Sequence, residues 1–149
     1  MIHREYWDFR PDWLDYVRRV WKGQGRVESV RDDTPERLAF EERARQAFES
    51  LEIPFTLIKT WVNVQVPKEG EGYDDGYPHT HEPKHATTLV HYLYPGNDPA
   101  PLDIFDGDTV VETIYPEAGL TVFMPNDLLH GVRKNQGTDN RIAMIATAL

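Results

Sequence analysis

Phe55-Thr-Leu-Ile-Lys-Thr-Trp-Val-Asn-Val-Gln-Val66 sets the architecture of this chain. β-Branched and aromatic side chains dominate the stretch, and they suit a pleated, half-buried surface better than a helix. Successive strand residues point to opposite faces, so Trp61, Asn63 and Gln65 share one face and Val62, Val64 and Val66 the other. The chain beyond Val66 keeps this character. Lys68 to Gly76 is rich in glycine and acid and reads as a loop. Strands are then predicted over Ala86–Tyr94, Leu102–Phe105, Thr109–Tyr115, Gly119–Phe123, Gly131–Lys134 and Arg141–Thr147. Turn chemistry separates them: Pro95-Gly-Asn-Asp-Pro99, Asp106-Gly-Asp108, Pro116-Glu-Ala-Gly119 and Asn135-Gln-Gly-Thr138.

Upstream of Pro54 the period is helical, and the first 51 residues read as helix. Pro11 suits a first helical turn, and Trp13, Val17 and Val20 or Trp21 recur behind it at helical spacing until Gly23 and Gly25 end the segment. A second helix has Thr34 as N-cap, Pro35 at its first position and Glu36 near its positive end. Phe40, Ala44, Ala47, Phe48 and Leu51 make its apolar stripe. Two helices followed by about seven short strands predict one mainly-β domain over 1–149. Residues 1–53 form a helical support, and 54–149 form a sandwich or barrel packed against it.

The bulk numbers narrow the function. The 149 residues can bury a full core. With no cysteine, disulfides, thiolate metal sites and a cysteine nucleophile are excluded. A net charge of −9 disfavours a phosphate backbone as partner. The expected partner is a small-molecule or peptide substrate, and a homodimer stays open. No signal peptide or membrane span is read from the sequence, and the simplest expectation is a cytoplasmic protein. Serine-nucleophile, phosphate-loop and dinucleotide motifs are absent from the sequence.

The chemistry lies in the histidines. Four of the six, His79, His81, His85 and His91, fall within thirteen residues, and His130 follows Met124-Pro-Asn-Asp-Leu-Leu129. In extended chain His79 and His81 project from one face, close enough to share a metal, and His130 is the candidate third ligand from another strand. Imidazole suits iron, zinc, copper and nickel. Three of six octahedral positions would then stay open.

Residues 61 to 146 resemble the double-stranded β-helix core of the 2-oxoglutarate- and iron(II)-dependent oxygenases, in particular a compact bacterial and phage branch. The matching pieces are Trp61-Val-Asn63-Val, His79-Thr-His81, Thr88-Leu-Val-His-Tyr-Leu-Tyr94-Pro95 and Pro101-Leu-Asp-Ile-Phe105. After these come Pro116-Glu-Ala-Gly-Leu-Thr-Val-Phe-Met-Pro125, Leu129-His130-Gly-Val132 and, eleven residues after His130, Arg141. The resemblance implies a jelly-roll or cupin-like barrel supported by the two helices. It implies Fe(II) as metal and 2-oxoglutarate as co-substrate, decarboxylated to succinate as a substrate is hydroxylated. Arg141 would offer a planar fork to the distal carboxylate of 2-oxoglutarate. Asn63, Gln65 and Tyr92 would hydrogen-bond co-substrate or substrate, and either His91 or Tyr92 would face the pocket. Tyr73 and Tyr77 flank a loop suited to a lid.

The sequence also departs from that pattern. Most such oxygenases carry Asp or Glu where His81 stands, so a carboxylate from Glu82, Asp103 or Asp106 is an alternative third ligand. The cupin superfamily, which shares the β-helix, is the nearest alternative. His85 occupies the slot of its motif's glutamate, and Gly119, Pro125 and His130 keep the spacing of its second motif, with Asp127 replacing a glycine. That likeness implies His79, His81, His85 and His130 as ligands of a metal protein that needs no 2-oxo acid. A non-catalytic member of the same fold, such as a phage structural protein, is the third alternative.

Overall fold

A computed structural model describes residues 2–21, 33–98 and 100–149, together with the backbone of 26–28. In chain order the elements are β1 (His3–Tyr6), α1 (Pro11–Val20), β2 (Arg26–Glu28), α2 (Pro35–Ser50), β3 (Ile58–Gln65) and β4 (Thr87–Tyr94). β5 (Leu102–Asp106), β6 (Thr109–Ile114), β7 (Leu120–Pro125), β8 (His130–Val132) and β9 (Arg141–Ala148) complete the chain. Each strand expected after Pro54 is present. Gly23, Gly25 and Pro99, expected to end a helix and to form a turn, lie outside the described residues.

The helices begin as their residues dictate. Pro11 and Pro35 take the first helical positions, and the Thr34 side chain accepts from the Arg37 backbone N–H at 3.4 Å. Trp13, Leu14, Tyr16 and Val17 of α1 and Phe40, Ala44, Ala47 and Phe48 of α2 are buried against one face of a six-stranded sheet, ordered β1-β7-β4-β9-β3-β2. That face supplies Val62, Val64, Leu89, Leu93, Phe123, Met144 and Ala146. Each large side chain sealed there contributes about 1.5–3 kcal/mol. Arg37, which polarity alone places on the helix surface, is buried and donates to Thr60 on β3 at 3.3 Å, with Asp33 and Glu41 holding its charge.

The other face of the sheet meets a three-stranded sheet, ordered β6-β5-β8. Tyr92, Val122, Met124, Ala143 and Ile145 from the first pack on Leu102, Ile104 and Ile114 from the second. This is the double-stranded β-helix, backed by two helices.

The helical support differs from expectation in one respect. It also supplies strands to both margins of the large sheet: β1 pairs antiparallel with β7, and β2 with β3. His3-Arg-Glu-Tyr6 has no apolar alternation because it is an edge strand with little to bury.

Gly119 fixes β1 and α1 to the barrel. Its φ is +88°, it exchanges backbone bonds with Trp7 and Tyr92, and a Cβ there would stand 2.6 Å from the Trp7 carbonyl oxygen. Gly119→Ala is therefore expected to cost at least about 2 kcal/mol, read as a lowered denaturant midpoint.

Candidate metal centre

Three imidazoles meet at the free edge of β8. Residues 79–81 run antiparallel to its start, joined by His79 N–H to His130 O at 2.7 Å and His130 N–H to His79 O at 3.0 Å. His81 N–H donates to Asn126 O at 2.8 Å, tying the segment to the turn after β7. The pairing sets His79 beside His130, and the two-residue spacing puts His81 on the same side. One ligand nitrogen from each residue can be chosen so that all lie within 4.8 Å of one another. His130 is buried, His79 half-buried and His81 exposed, so the centre opens on the His81 side.

The protonation states follow from the partners. Leu128 O stands 2.9 Å from His130 Nδ1. A carbonyl only accepts, so Nδ1 carries the hydrogen and Nε2 the lone pair. Burial lowers the His130 pKa, against an opposing contribution from the Leu128 bond. The ring is thus held in the neutral form that ligates metals. Its Nε2 lies 3.1 Å from His81 Nε2. The two nitrogens are near enough to share one ion.

The alternative carboxylates do not join this group among the described residues. Glu82 and Asp106 are exposed. Asp103 is fully buried on the other face of the small sheet, where it accepts from Tyr73 Oη (2.8 Å), Thr113 Oγ1 (2.9 Å) and Arg133 Nε (2.8 Å). His85 also stays out and is exposed, contrary to the four-ligand cupin pattern. Its spacing matched, but the chain turns back at Pro83–Ala86 before β4 begins.

His91 belongs to the helix-facing core. Trp7 and Trp13 stand 5.0 and 5.5 Å from its ring, Thr121 Oγ1 meets its Nδ1 at 2.8 Å, and Tyr92 is the neighbour that faces the barrel interior. Desolvation pushes the His91 pKa down to about 4, aided by the charge of Arg43. Above about pH 6.5 the ring is neutral whether the chain is folded or not. Between there and about pH 4 only the unfolded chain takes up the proton. Stability should fall through that window by up to roughly 3 kcal/mol. Denaturant unfolding at a series of pH values measures this, and His91→Phe should flatten that part of the curve.

Arg141 is buried and faces the barrel interior with Tyr92 and Gln65, as its position in β9 requires. Its guanidinium is engaged by protein. Nε donates to Pro95 O (3.0 Å), Nη1 to Gln65 Oε1 (3.3 Å) and to Ala100 O, and Nη2 to Asp98 O (2.7 Å). Four of its five N–H groups are thereby committed. Gln65 is committed too, donating to Arg133 O at 2.7 Å. Asn63 is exposed on the same sheet face, on β3 between β9 and β2.

One contributor escapes a reading of the sequence. Asn126 is buried; it accepts from Thr88 Oγ1 at 2.6 Å and donates to Pro83 O at 3.0 Å, which fixes the chain that follows His81. In sequence it is one more turn asparagine. The loop read as a lid is fastened: Tyr73 bonds to Asp103, and Asp74 N–H donates to Val132 O at 2.7 Å.

No family model matches the chain, and no curated protein matches its sequence. Solved structures do. The viral collagen prolyl hydroxylase vCPH from Paramecium Bursaria Chlorella virus-1 aligns over 99% of this chain and 89% of its own, at 12% identity and a TM-score of 0.71. A Pseudomonas putida prolyl-4-hydroxylase aligns over 99% and 91%, at 16% identity and a TM-score of 0.67. HygX from Streptomyces hygroscopicus, with nickel and 2-oxoglutarate bound, aligns over 99% and 81%, at 12% identity and a TM-score of 0.67. The fold is that of the 2-oxoglutarate- and iron(II)-dependent oxygenases. In this oxygenase fold, His79 and His81 stand on the segment that extends the small sheet, His130 on β8 and Arg141 on β9.

Proposed function

We propose that the chain is a 2-oxoglutarate- and iron(II)-dependent dioxygenase that hydroxylates a small-molecule or peptide substrate. The observation that carries this reading is the convergence of His79, His81 and His130 at the edge of a double-stranded β-helix. His81 Nε2 and His130 Nε2 lie 3.1 Å apart, and the Leu128 carbonyl leaves the lone pair of His130 on Nε2. HygX has been solved with iron and with nickel and 2-oxoglutarate, and vCPH as a 2OG complex, which supports the same ligands here.

In this reading His79, His81 and His130 hold the iron. Bound with 2-oxoglutarate, it would supply oxidative decarboxylation to succinate coupled to hydroxylation of a substrate C–H bond. The chain's own work is to hold and orient. Leu128 O locks the His130 ring, and Asn126 O fixes the backbone at His81. Arg141, with Tyr92 beside it, is the interior cation for the far carboxylate of the co-substrate. It would receive that carboxylate by exchanging its carbonyl partners Pro95, Asp98 and Ala100, which stand outside the strands. Asn63, exposed on the same sheet face, would meet substrate.

Protein loaded anaerobically with ferrous iron and then given air and 2-oxoglutarate is expected to release succinate. No succinate, together with no calorimetric binding of 2-oxoglutarate to the metal-loaded protein, would sink this reading. One observation favours a second: the commitment of Arg141 to four protein acceptors suits a three-histidine metal protein that needs no 2-oxo acid. Metal binding at the histidines without 2-oxoglutarate binding would select it. Among the described residues no helix is long and apolar enough to cross a membrane.

A further inference from the structure

We infer that Asp75 is a positioning residue of the metal centre: its carboxylate takes the hydrogen of His79 Nδ1, turning Nε2 of that ring to the metal. The inference rests on the three-histidine metal reading. His79 Nδ1 is shut off from solvent and has no hydrogen-bond partner, a condition that buried ring nitrogens rarely keep. The charged atom facing it is Asp75 Oδ2, at 3.6 Å. The Asp75 side chain is 67% exposed and can close that gap by a small rotation.

The backbone around Asp75 is held on the strand that carries His130. Tyr73 bridges Arg133, its ring lies over Gly131 (where a Cβ would come within 2.7 Å of it), and its hydroxyl donates to Asp103. Asp74 bonds to Val132 O through its N–H and pairs with Lys68 through its side chain at 3.0 Å. The bond from Gly76 N–H to Tyr73 O, at 2.9 Å, then closes a tight turn, with Gly76 at φ +85°, and this sets Asp75 over His79.

The arrangement answers the charge problem posed by His81. Three neutral imidazoles leave a divalent ion with its full charge, where a carboxylate ligand would cancel one unit. A carboxylate that accepts the outer N–H of a ligating imidazole makes the inner nitrogen more basic and stabilises the ion from one shell further out. Asp75 thus returns, through His79, part of the negative charge that His81 withholds.

Asp75→Asn removes the charge and keeps the shape, and Asp75→Ala removes both charge and acceptor. The control is Glu69→Gln: Glu69 is in the same loop but lines a separate hollow with Pro67, Gly70, Gln136 and Gly137. With zinc as probe, both Asp75 variants are expected to lose about ten- to a hundredfold in affinity, Asp75→Ala losing more. The hydrogen-bonded Nδ1–H proton of His79 in the zinc-loaded protein should shift in Asp75→Asn and vanish into exchange in Asp75→Ala. With iron as probe, the Fe(III)/Fe(II) midpoint potential should rise in both. Glu69→Gln should change none of these. Zinc affinity within twofold of the parent protein in both Asp75 variants, with the His79 proton unmoved, would overturn the inference. Failure of the parent protein to bind zinc at the three histidines would overturn the metal reading itself, a separate result.

Discussion

His130→Ala is expected to lower zinc or ferrous-iron affinity by more than about a hundredfold, beyond the range for losing an outer-shell partner. Three observations set that size. His130 is the buried member of the three, its Nε2 lone pair is fixed by the Leu128 carbonyl, and its pairing with His79 aligns the other strand. His85→Ala is the matched comparison. His85 lies outside the group and is exposed, so its loss should leave affinity unchanged, whereas a four-ligand centre would lose it. Competition with a chelator measures both variants, and circular dichroism confirms that each is folded. Retention of parental affinity in His130→Ala would remove the metal centre from consideration.

Arg141→Met is expected to destabilise the fold by about 3 kcal/mol or more. The substitution keeps an unbranched stem and removes the guanidinium. It leaves the carbonyls of Pro95, Asp98 and Ala100 and the Gln65 side chain without the donor that gathers them. Arg141→Lys should recover only part of the loss, because an ammonium cannot spread donors in a plane to acceptors on both sides. Urea midpoints at pH 7 decide the matter. A change under about 0.5 kcal/mol would show that the guanidinium is not a clamp.

These two residues mark how far the sequence could be read. Strands β3 to β9 were legible because alternation and turn chemistry are local: Trp61-Val-Asn-Val announces a strand, and Asp106-Gly-Asp108 a reversal. β1 was not, since an edge strand of His3-Arg-Glu-Tyr6 buries little and so carries no pattern. His79, His81 and His130 could be grouped because two lie at strand spacing and the third begins a strand. The partners of Arg141 could not be found, because three of them are main-chain carbonyls with no residue-type signature. Alternation put His91 and Tyr92 on opposite faces without saying which face met the helices. That was decided by Trp7 and Trp13, which are remote in sequence. Asp75 is four residues before His79 and looks like any other acid of its loop. Only the turn at Gly76 and the anchoring of Tyr73 set it over the ring.

The strand order of the large sheet has a consequence for how the protein is made. β9 lies between β3 and β4 and pairs with both along nearly their whole lengths. A growing chain that stops short of Arg141 therefore has two apolar strands with an empty lane between them, and α2 has no continuous surface to cover. β1 likewise waits for β7. Pairings so distant in sequence fold slowly and leave sticky edges exposed meanwhile. Truncations within β9 are therefore expected to yield insoluble protein rather than a folded but weakened one.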